Sequence, residues 1–290
     1  MNSKPNFKVV DFHVHITDFR MVKPHIQDVF KKFQNFSFDF LLNLMKNPSK
    51  FVEFLDENWV EKVCLINYVS PDVMGFTWEV NNFISNYCKS FPDRLIAFGS
   101  VHPRFTKNPK KEMETLYSKL EVKGIKLHPP HQLFYPNEYS DGKLENLKII
   151  YKMAEQYGLP VMVHTGTSIF PGARIKYGNP LSLDDVAVDF PNLKIIMAHG
   201  GRPIWMKEAF YLLRRHQNIY LDISSIPPKK LLEYFPRLNE IAEKTVFGSD
   251  WPGPMVKSIK ANIQDFLSLP LPNEAKRKIL RENALKILKI

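Results

Sequence analysis

The sequence predicts an α/β fold, specifically a (β/α)8 TIM barrel with a helical insertion after the first strand. Short apolar runs rich in β-branched residues recur eight times along the 290 residues, and longer amphipathic stretches separate them. The runs are apolar almost throughout, which is typical of parallel strands that are covered on both faces. No linker rich in Pro, Gly or Ser divides the chain. We therefore expect one barrel domain over residues 1–290.

Eight strands follow from these runs, and the stretches between them fit helices. The apolar residues of 144–157 repeat at spacings of three and four before Gly158 and Pro160, and 107–120 runs toward Gly124. Glycine between a helix and the next strand is typical of the loops in such a barrel. The predicted strands are residues 7–13, 60–67, 95–101, 124–128, 160–164, 193–199, 219–223 and 245–249.

The segment between the first two strands is unusually long. Residues 19–58 are rich in Phe, where a loop and one helix would suffice. Two interpretations stay open: a pair of amphipathic helices packed on the barrel, or a lid over the end where barrels build their active sites. A further helix is predicted near the end of the chain, within 270–290.

Composition narrows the classes of function. Forty basic and thirty acidic side chains give a net charge of +10, but thirty of the basic residues are Lys, scattered without a stripe of interleaved aromatic residues. We therefore expect no nucleic-acid partner. Cys64 and Cys88 lack the spacing of a disulfide framework or a thiolate metal site and are predicted to be small core residues. Neither a secretory signal nor a long apolar span is evident, so a cytoplasmic protein with no membrane partner is expected.

Histidine positions carry the strongest functional signal. Six of the nine histidines fall at the carboxyl ends of predicted strands, where barrels place their active sites. Two of them are separated by a single residue on the first strand, so both imidazoles are expected to face the barrel interior. Taken alone, such a pair more often belongs to a hydrogen-bonded core. The six are His13, His15, His102, His128, His164 and His199.

A carboxylate completes the pattern. Asp250 follows the eighth strand, and closure of a barrel makes the first and eighth strands neighbours. Asp250, His13 and His15 are therefore expected to meet, and His164 from the fifth strand can join them. Three neutral imidazoles and one carboxylate suit a divalent metal, Zn2+ above all and also Mn2+, Fe2+ or Co2+. Because no thiolate contributes, we expect a catalytic rather than a structural metal.

Six sequence motifs follow one another along the chain: HVH, GIKLHP, VMVHTG, DDVAVDFPNLKIIMAHGGRP, NIYLDIS and FGSDWP. In this order the chain resembles the amidohydrolase superfamily, specifically the amidohydrolase-related (family 2) group that includes aminocarboxymuconate-semialdehyde decarboxylase. The resemblance covers nearly the whole chain. It implies that His13, His15, His164 and Asp250 are metal ligands and that His199 acts on the substrate or on the nucleophilic water.

Asp250 and His199 are the predicted catalytic residues. A divalent metal lowers the pKa of a bound water, and Asp250 is placed to accept the proton that this water loses. His199 is expected to hydrogen-bond the nucleophile or the developing oxyanion. An alternative for His199 is a supporting role, in which it orients a metal ligand through a hydrogen bond.

Four further residues are predicted to bind the substrate. Lys126 and His128 lie two apart on the fourth strand, and Lys126 offers a cation for a substrate carboxylate. In some members of the superfamily a lysine of this strand is carbamylated and bridges two metals, and a structural ion pair is a third alternative. The guanidinium of Arg202 is suited to bind a carboxylate through two parallel hydrogen bonds, and the alternative is an arginine that is simply solvated. Trp251 is expected either to wall the pocket or to pack in the core, and the loop 166–180 is a candidate cationic substrate loop.

The favoured function is a metal-dependent hydrolase that cleaves an amide, lactone or related bond in a small, anionic substrate. The alternative, at the same metal site, is non-oxidative decarboxylation of an aromatic or dienoic carboxylic acid. A non-enzymatic binding protein that uses the +10 charge ranks third, because it leaves the ordered His/Asp set unexplained. The identity of the substrate, the number of metals and the oligomeric state, a homodimer included, stay open.

Overall fold

The protein is a barrel of eight parallel strands. A computed structural model describes residues 5–33, 36–254 and 256–290. The strands are β1 (Val9–Val14), β2 (Val60–Ile66), β3 (Leu95–Gly99), β4 (Gly124–Leu127), β5 (Val161–His164), β6 (Ile195–Ala198), β7 (Ile219–Asp222) and β8 (Thr245–Val246). They lie side by side in chain order, and every neighbouring pair is parallel. Each overlaps its predicted segment, which confirms the predicted fold class.

Backbone hydrogen bonds close the barrel between β1 and the segment that continues β8. Phe12 N donates to Phe247 O at 2.8 Å, Asp250 N to His13 O at 2.8 Å, and His15 N to Trp251 O at 2.7 Å. The chain therefore keeps a strand-like path past the end of β8. This closure brings Asp250 beside the first strand, as the sequence predicts.

Helices on the outside of the barrel connect the strands. The helix predicted over 144–157 ends at Gly158, whose φ of 66° supplies the left-handed cap. The helix predicted over 107–120 changes to a π-helical turn at Thr115–Lys119. The α-helices of the described residues are α1 (Pro24–Phe33), α2 (Phe38–Lys46), α3 (Pro48–Glu57), α4 (Glu79–Lys89), α5 (Pro109–Glu114), α6 (Pro129–Gln132), α7 (Glu145–Tyr157), α8 (Leu183–Asp189), α9 (Met206–Arg215), α10 (Leu231–Tyr234), α11 (Ile259–Leu267), α12 (Asn273–Arg277) and α13 (Asn283–Leu288).

The insertion between β1 and β2 holds three helices, α1 to α3, rather than the pair that the sequence favours. Residues 34 and 35 of the insertion lie outside the described residues. Phe51 and Leu55 of α3 are fully buried in the main hydrophobic core, so this part packs on the barrel. Phe19 and Phe30 instead line the cavity at the carboxyl ends of the strands. The insertion therefore packs on the barrel through α3 and contributes Phe19 and Phe30 to the cavity wall, whereas a lid over the site stays a prediction.

Apolar side chains fill the interior of the barrel below the site. Phe12 and Phe98 meet edge to face with ring centroids 5.7 Å apart. Gly124 starts β4 because a Cβ there would lie 2.2 Å from the ring of Phe98. Ala284 and Ile287 of α13 close the same cluster, so polar groups of the interior gather at the opposite end.

Two smaller expectations concern the cysteines and membrane contact. Cys64 and Cys88 are both buried and unpaired, which confirms that they are core residues. Among the residues that the structure describes, no helix has the length and apolar character needed to cross a bilayer.

Candidate metal centre and substrate cavity

A cavity of about 500 Å³ opens at the carboxyl ends of the strands. Its floor carries polar side chains from β1, β4, β5, β6 and the end of β8. Above the floor, an aromatic and apolar part of the wall, called the upper wall here, comes from the insertion and from the loops that follow β2 and β5, and another part carries polar groups such as Lys229, Asn262 and Asp265. The upper wall is made of Phe19, Phe30, Tyr68, Met74, Phe76 and Phe170.

Three predicted metal ligands converge on the floor. His13 Nε2 lies 3.1 Å from His15 Nε2, and Asp250 Oδ1 lies 3.4 Å and 3.2 Å from these two nitrogens. Atoms that bind one ion at the usual distance of about 2.1 Å are separated from each other by roughly 3.0–3.4 Å. The spacing and the chemistry of these donor atoms therefore fit a single divalent cation.

Hydrogen bonds at Nδ1 orient the two imidazoles of β1. His13 Nδ1 lies 2.6 Å from Oδ2 of the buried Asp222, at the end of β7, and 3.0 Å from Ser224 Oγ. His15 Nδ1 donates to the carbonyl of Ile66 at 2.7 Å. With Nδ1 carrying the proton, each Nε2 presents its lone pair to the convergence point. Such supporting acceptors are a regular feature of histidines that bind metals.

His199 shares this arrangement. Its Nδ1 donates to the carbonyl of Ser224 at 2.9 Å, which turns Nε2 toward the site. Ligand atoms of His13, His199 and Asp250, all three buried, lie within 4.8 Å of one another. His199 and Asp250 both have a positive φ, 66° and 63°. Backbone strain of this kind in residues other than glycine is concentrated at functional sites.

The protonation states suit metal binding. Burial lowers the pKa of His13 and, more strongly, that of His199, so both rings stay neutral at neutral pH. Burial alone would raise the pKa of Asp250, but His15, whose Nε2 lies 3.2 Å from Oδ1, and the imidazoles of His13 and His199 hold it well below its usual range. The ionised carboxylate of Asp250 therefore lies beside the neutral rings of His13 and His199.

His164 and His128 form a stack beside this cluster. Their ring centroids are 3.9 Å apart, and His164 lies edge-on to His199 at 4.6 Å. His164 Nε2 is 3.3 Å from the carbonyl of Thr167, so its Nδ1 is left with the lone pair. Both rings line the cavity. His164 is thus adjacent to the cluster but less closely gathered than His13, His15 and Asp250.

Lys126 and Arg202 also face the cavity, and no ion pair forms with either of them among the described residues. Lys126 is 1% exposed, and its Nζ has no hydrogen-bond partner in the described part of the chain. Burial lowers the pKa of this lysine to about 8, against the influence of Asp222 and Asp250, which raise it. Arg202 Nη2 donates to Ser225 Oγ at 2.8 Å, while its buried Nε finds no acceptor among the described residues. Cations buried in this way are costly unless a ligand pairs with them.

Comparison with known proteins assigns the chain to a family. The model of the amidohydrolase family matches residues 69–290, more than half of the chain. The chain belongs to the amidohydrolase family. A search of curated proteins gives no match. The resemblance read from the motifs is thereby confirmed for the family.

Solved structures share the fold over almost the whole length of this amidohydrolase. An uncharacterized TIM-barrel protein from Bordetella bronchiseptica is 22% identical, with a TM-score of 0.75 and coverage of 98% of this chain and 99% of that chain. A 5-carboxyvanillate decarboxylase from Novosphingobium aromaticivorans, complexed with manganese and 4-hydroxy-3-methoxy-5-nitrobenzoic acid, is 16% identical, with a TM-score of 0.71 and coverage of 98% and 97%. A probable 2-pyrone-4,6-dicarboxylic acid hydrolase from Acinetobacter baumannii, with citric acid bound, is 17% identical, with a TM-score of 0.67 and coverage of 98% and 100%.

Trp251 of this amidohydrolase does not line the cavity. Its fully buried indole packs against Phe36, Phe51 and Phe54, with the nearest ring centroid, that of Phe54, 4.8 Å away. The expectation that Trp251 walls the substrate pocket is therefore wrong, and its alternative of core packing holds. The physical reason is packing, because aromatic side chains of the insertion enclose the indole.

The loop predicted to be cationic contributes other residues than expected. Thr167, Ser168 and Phe170 line the cavity, whereas Arg174 is exposed away from it. The same holds for Lys176, which lies over the ring of Tyr177 with its Nζ 4.9 Å from the centroid. The loop thus supplies hydroxyl and aromatic groups rather than positive charge.

Several functional positions escaped the sequence-based prediction. Asp222, the last residue of β7, and Ser224, two residues later, orient His13 and His199, although nothing in the sequence assigns them a role. His131 and Tyr68 line the cavity from segments that follow β4 and β2. No periodic pattern marks them, because loop conformation decides where they lie.

Proposed function

We propose that the protein is a metal-dependent decarboxylase of an aromatic carboxylic acid. The observation that carries this proposal is the division of one cavity into a cationic, metal-binding floor and an aromatic upper wall. A benzoate-like acid has the same two parts, a carboxylate and a flat apolar ring. Several solved structures of similar fold are decarboxylases of such acids, which supports the choice.

In this proposal His13, His15, His164 and Asp250 hold the metal. His164 would contribute Nδ1, since its Nε2 is engaged by the carbonyl of Thr167. When bound, a divalent ion such as Zn2+ or Mn2+ supplies positive charge that polarises a substrate oxygen. The manganese found with one decarboxylase of similar fold supports a metal of this class.

Lys126 and Arg202 are the proposed anchors of the substrate carboxylate. Lys126 and the Nε atom of Arg202 are buried, and pairing with an anion would remove the cost of leaving them unpaired. His128 lines the same floor and, stacked on His164, borders the ring of the substrate. Cleavage of the bond between the ring carbon and the carboxylate releases CO2, and the ring carbon then takes up a proton. The Lys126 ammonium, whose pKa is lowered to about 8, is an acid beside that group.

The proposal is tested by following CO2 release. The protein, loaded with Mn2+, is incubated with a panel of hydroxylated benzoates, and the product acids and CO2 are quantified. We expect release with at least one member and its loss in His13→Ala. The variant Thr167→Val, which alters a cavity residue outside the proposed machinery, is the matched control and should retain activity. Metal-loaded protein that binds these acids yet releases no CO2 would exclude decarboxylation.

Hydrolysis is the second candidate, and one observation favours it. The ionised Asp250 and the neutral His199 face the same point of the floor, as a pair that takes a proton from water and stabilises an oxyanion would. The fold similarity to a probable 2-pyrone-4,6-dicarboxylic acid hydrolase agrees with this. Ring opening of a pyrone dicarboxylate without CO2 release would select hydrolysis over decarboxylation.

A further inference from the structure

Three cavity residues form a chain of hydrogen bonds apart from the metal centre. Tyr68 Oη lies 2.9 Å from His131 Nδ1, and His131 Nε2 lies 2.7 Å from Ser168 Oγ. All three line the cavity, and they come from the segments after β2, β4 and β5. The proposed reaction uses none of them.

The central imidazole is held rigidly. His131 is 1% exposed and stacks on His128 with ring centroids 3.6 Å apart and planes inclined by 13°. The backbone on either side is anchored as well, because Ser70 Oγ donates to His131 O at 3.2 Å and Gln132 Nε2 donates to Val69 O at 2.9 Å. The His131 ring therefore keeps one orientation. Whether Tyr68 donates to Nδ1 or accepts from it then decides whether Nε2 donates to Ser168 or accepts from it.

The protonation state of His131 and the burial of Tyr68 decide which groups donate and which accept in this row of hydrogen bonds. Burial lowers the pKa of His131 to about 3, so the ring is neutral and carries one N–H. Among the described residues, the hydroxyl of Tyr68 has His131 Nδ1 as its only hydrogen-bond partner. If His131 donated from Nδ1, the buried Tyr68 proton would lack an acceptor, which is costly. Tyr68 therefore donates to Nδ1, and His131 Nε2–H donates to Ser168 Oγ.

This direction determines what Ser168 offers to a ligand. Ser168 Oγ accepts from His131 and, at 3.3 Å, from the backbone N–H of Phe170. Its lone pairs are thus occupied, and its own hydrogen is left to donate into the cavity. The ring centroid of the nearby Phe170 lies 5.4 Å from that of Phe30 in the upper wall. The free donor is therefore placed where the floor meets the aromatic wall.

We propose that Ser168 is a second binding subsite, which selects substrates that carry an oxygen acceptor on the ring in addition to the carboxylate on the floor. Tyr68 and His131 are positioning residues, which make Ser168 a donor rather than an acceptor. The inference rests on the proposed function, because it takes the ligand to be an aromatic acid. It adds a requirement for a phenolate, ether or carbonyl oxygen at one position of that ring.

Binding by calorimetry to Mn2+-loaded protein tests the subsite without requiring turnover. Benzoate is the reference ligand. Methoxybenzoate and ethylbenzoate have similar shapes, but only methoxybenzoate carries a hydrogen-bond acceptor on the ring substituent. Aminobenzoate and methylbenzoate also have similar shapes, but only aminobenzoate carries a donor there. Each pair is compared at the 2-, 3- and 4-positions. We expect methoxybenzoate to bind about fivefold tighter than ethylbenzoate at one position, as one added hydrogen bond would give, and no gain for aminobenzoate over methylbenzoate.

Variants separate the roles of the three residues. Ser168→Ala should abolish the methoxy preference, and Thr167→Val, the adjacent control, should keep it. Tyr68→Phe frees His131 to take either tautomer, so the methoxy preference should shrink and an amino preference should appear, which a merely structural role would not produce. The subsite would be refuted, and the proposed function left standing, if the wild-type protein showed no preference for methoxybenzoate or if Ser168→Ala kept that preference. Failure of every benzoate to bind would overturn the proposed aromatic substrate and the subsite with it.

Discussion

Replacing Lys126 by Met is expected to stabilise the protein while it removes function. Lys126 is 1% exposed, and its Nζ has no hydrogen-bond partner among the described residues. Met has a similar length and no charge, so it fills the space without the cost of a buried ammonium. Loss of the cation leaves a bound carboxylate without its anchor. We expect kcat/KM for the aromatic acid to fall about 100-fold.

The size of the stabilisation follows from the pKa of Lys126. Burial lowers that pKa from 10.5 to about 8, and one pKa unit corresponds to about 1.4 kcal/mol, so charge burial costs about 3 kcal/mol. Below pH 8 the lysine is protonated in both folded and unfolded states, and the full cost applies. Between pH 8 and 10.5 the unfolded state binds more protons, so the free energy of unfolding rises with pH. The advantage of Lys126→Met is therefore largest at neutral pH and shrinks as pH approaches 10.

Urea unfolding of the metal-free proteins at pH 7 and pH 10 measures this difference. Lys244→Met is the matched control. Burial also lowers the pKa of Lys244 to about 8, but its ammonium donates to the carbonyls of Leu213 and His216. Its removal leaves those acceptors unsatisfied and should destabilise the fold. The reasoning fails if Lys126→Met is no more stable than the wild type at pH 7, or if its advantage is the same at pH 10.

Three further predictions concern the metal centre. Asp222→Asn weakens the hydrogen bond that orients His13 and should lower Mn2+ affinity 10–100-fold with an unchanged circular dichroism spectrum; unchanged affinity would contradict the orienting role. Gly248→Ala places a Cβ 2.5 Å from Asp222 Oδ1 and 2.6 Å from His13 Cβ, so the purified protein should contain little metal. Full occupancy of the metal site in this variant would refute the predicted crowding. Adding Mn2+ at 100 times its Kd to chelator-treated protein should raise the free energy of unfolding by about 2.7 kcal/mol, and a similar rise in His13→Ala would place the ion elsewhere.

The central part of the site was predictable because barrel topology alone decides it. Parallel strands in chain order put the carboxyl ends of β1, β5, β6 and β8 on one rim, and closure makes Asp250 a neighbour of His13. These relations need only strand positions, which the apolar runs indicate. Topology does not decide the position of Trp251, because its burial against Phe51 and Phe54 depends on how the insertion packs.

The cavity wall was not predictable in the same way. Tyr68 and Ser168 lie in loops, and His131 lies in the four-residue helix α6, where the path of the chain depends on local packing rather than on periodicity. Leu133, with a φ of 60°, ends the short α6 just after His131, yet the identity of this residue does not predict that conformation. Residues that define the substrate therefore emerge only once the loops have been placed.

The insertion after β1 connects these two parts of the site physically. Its first helix, α1, carries Phe30 into the cavity wall against Phe170, with ring centroids 5.4 Å apart. Phe54 of α3 packs on Trp251, whose carbonyl accepts the backbone N–H of His15 at 2.7 Å. The same inserted segment thus shapes the cavity in which the proposed aromatic substrate would bind and supports the strand ends that hold the proposed ligands. Because apolar packing transmits small displacements, changes in this insertion should alter substrate preference and metal affinity together.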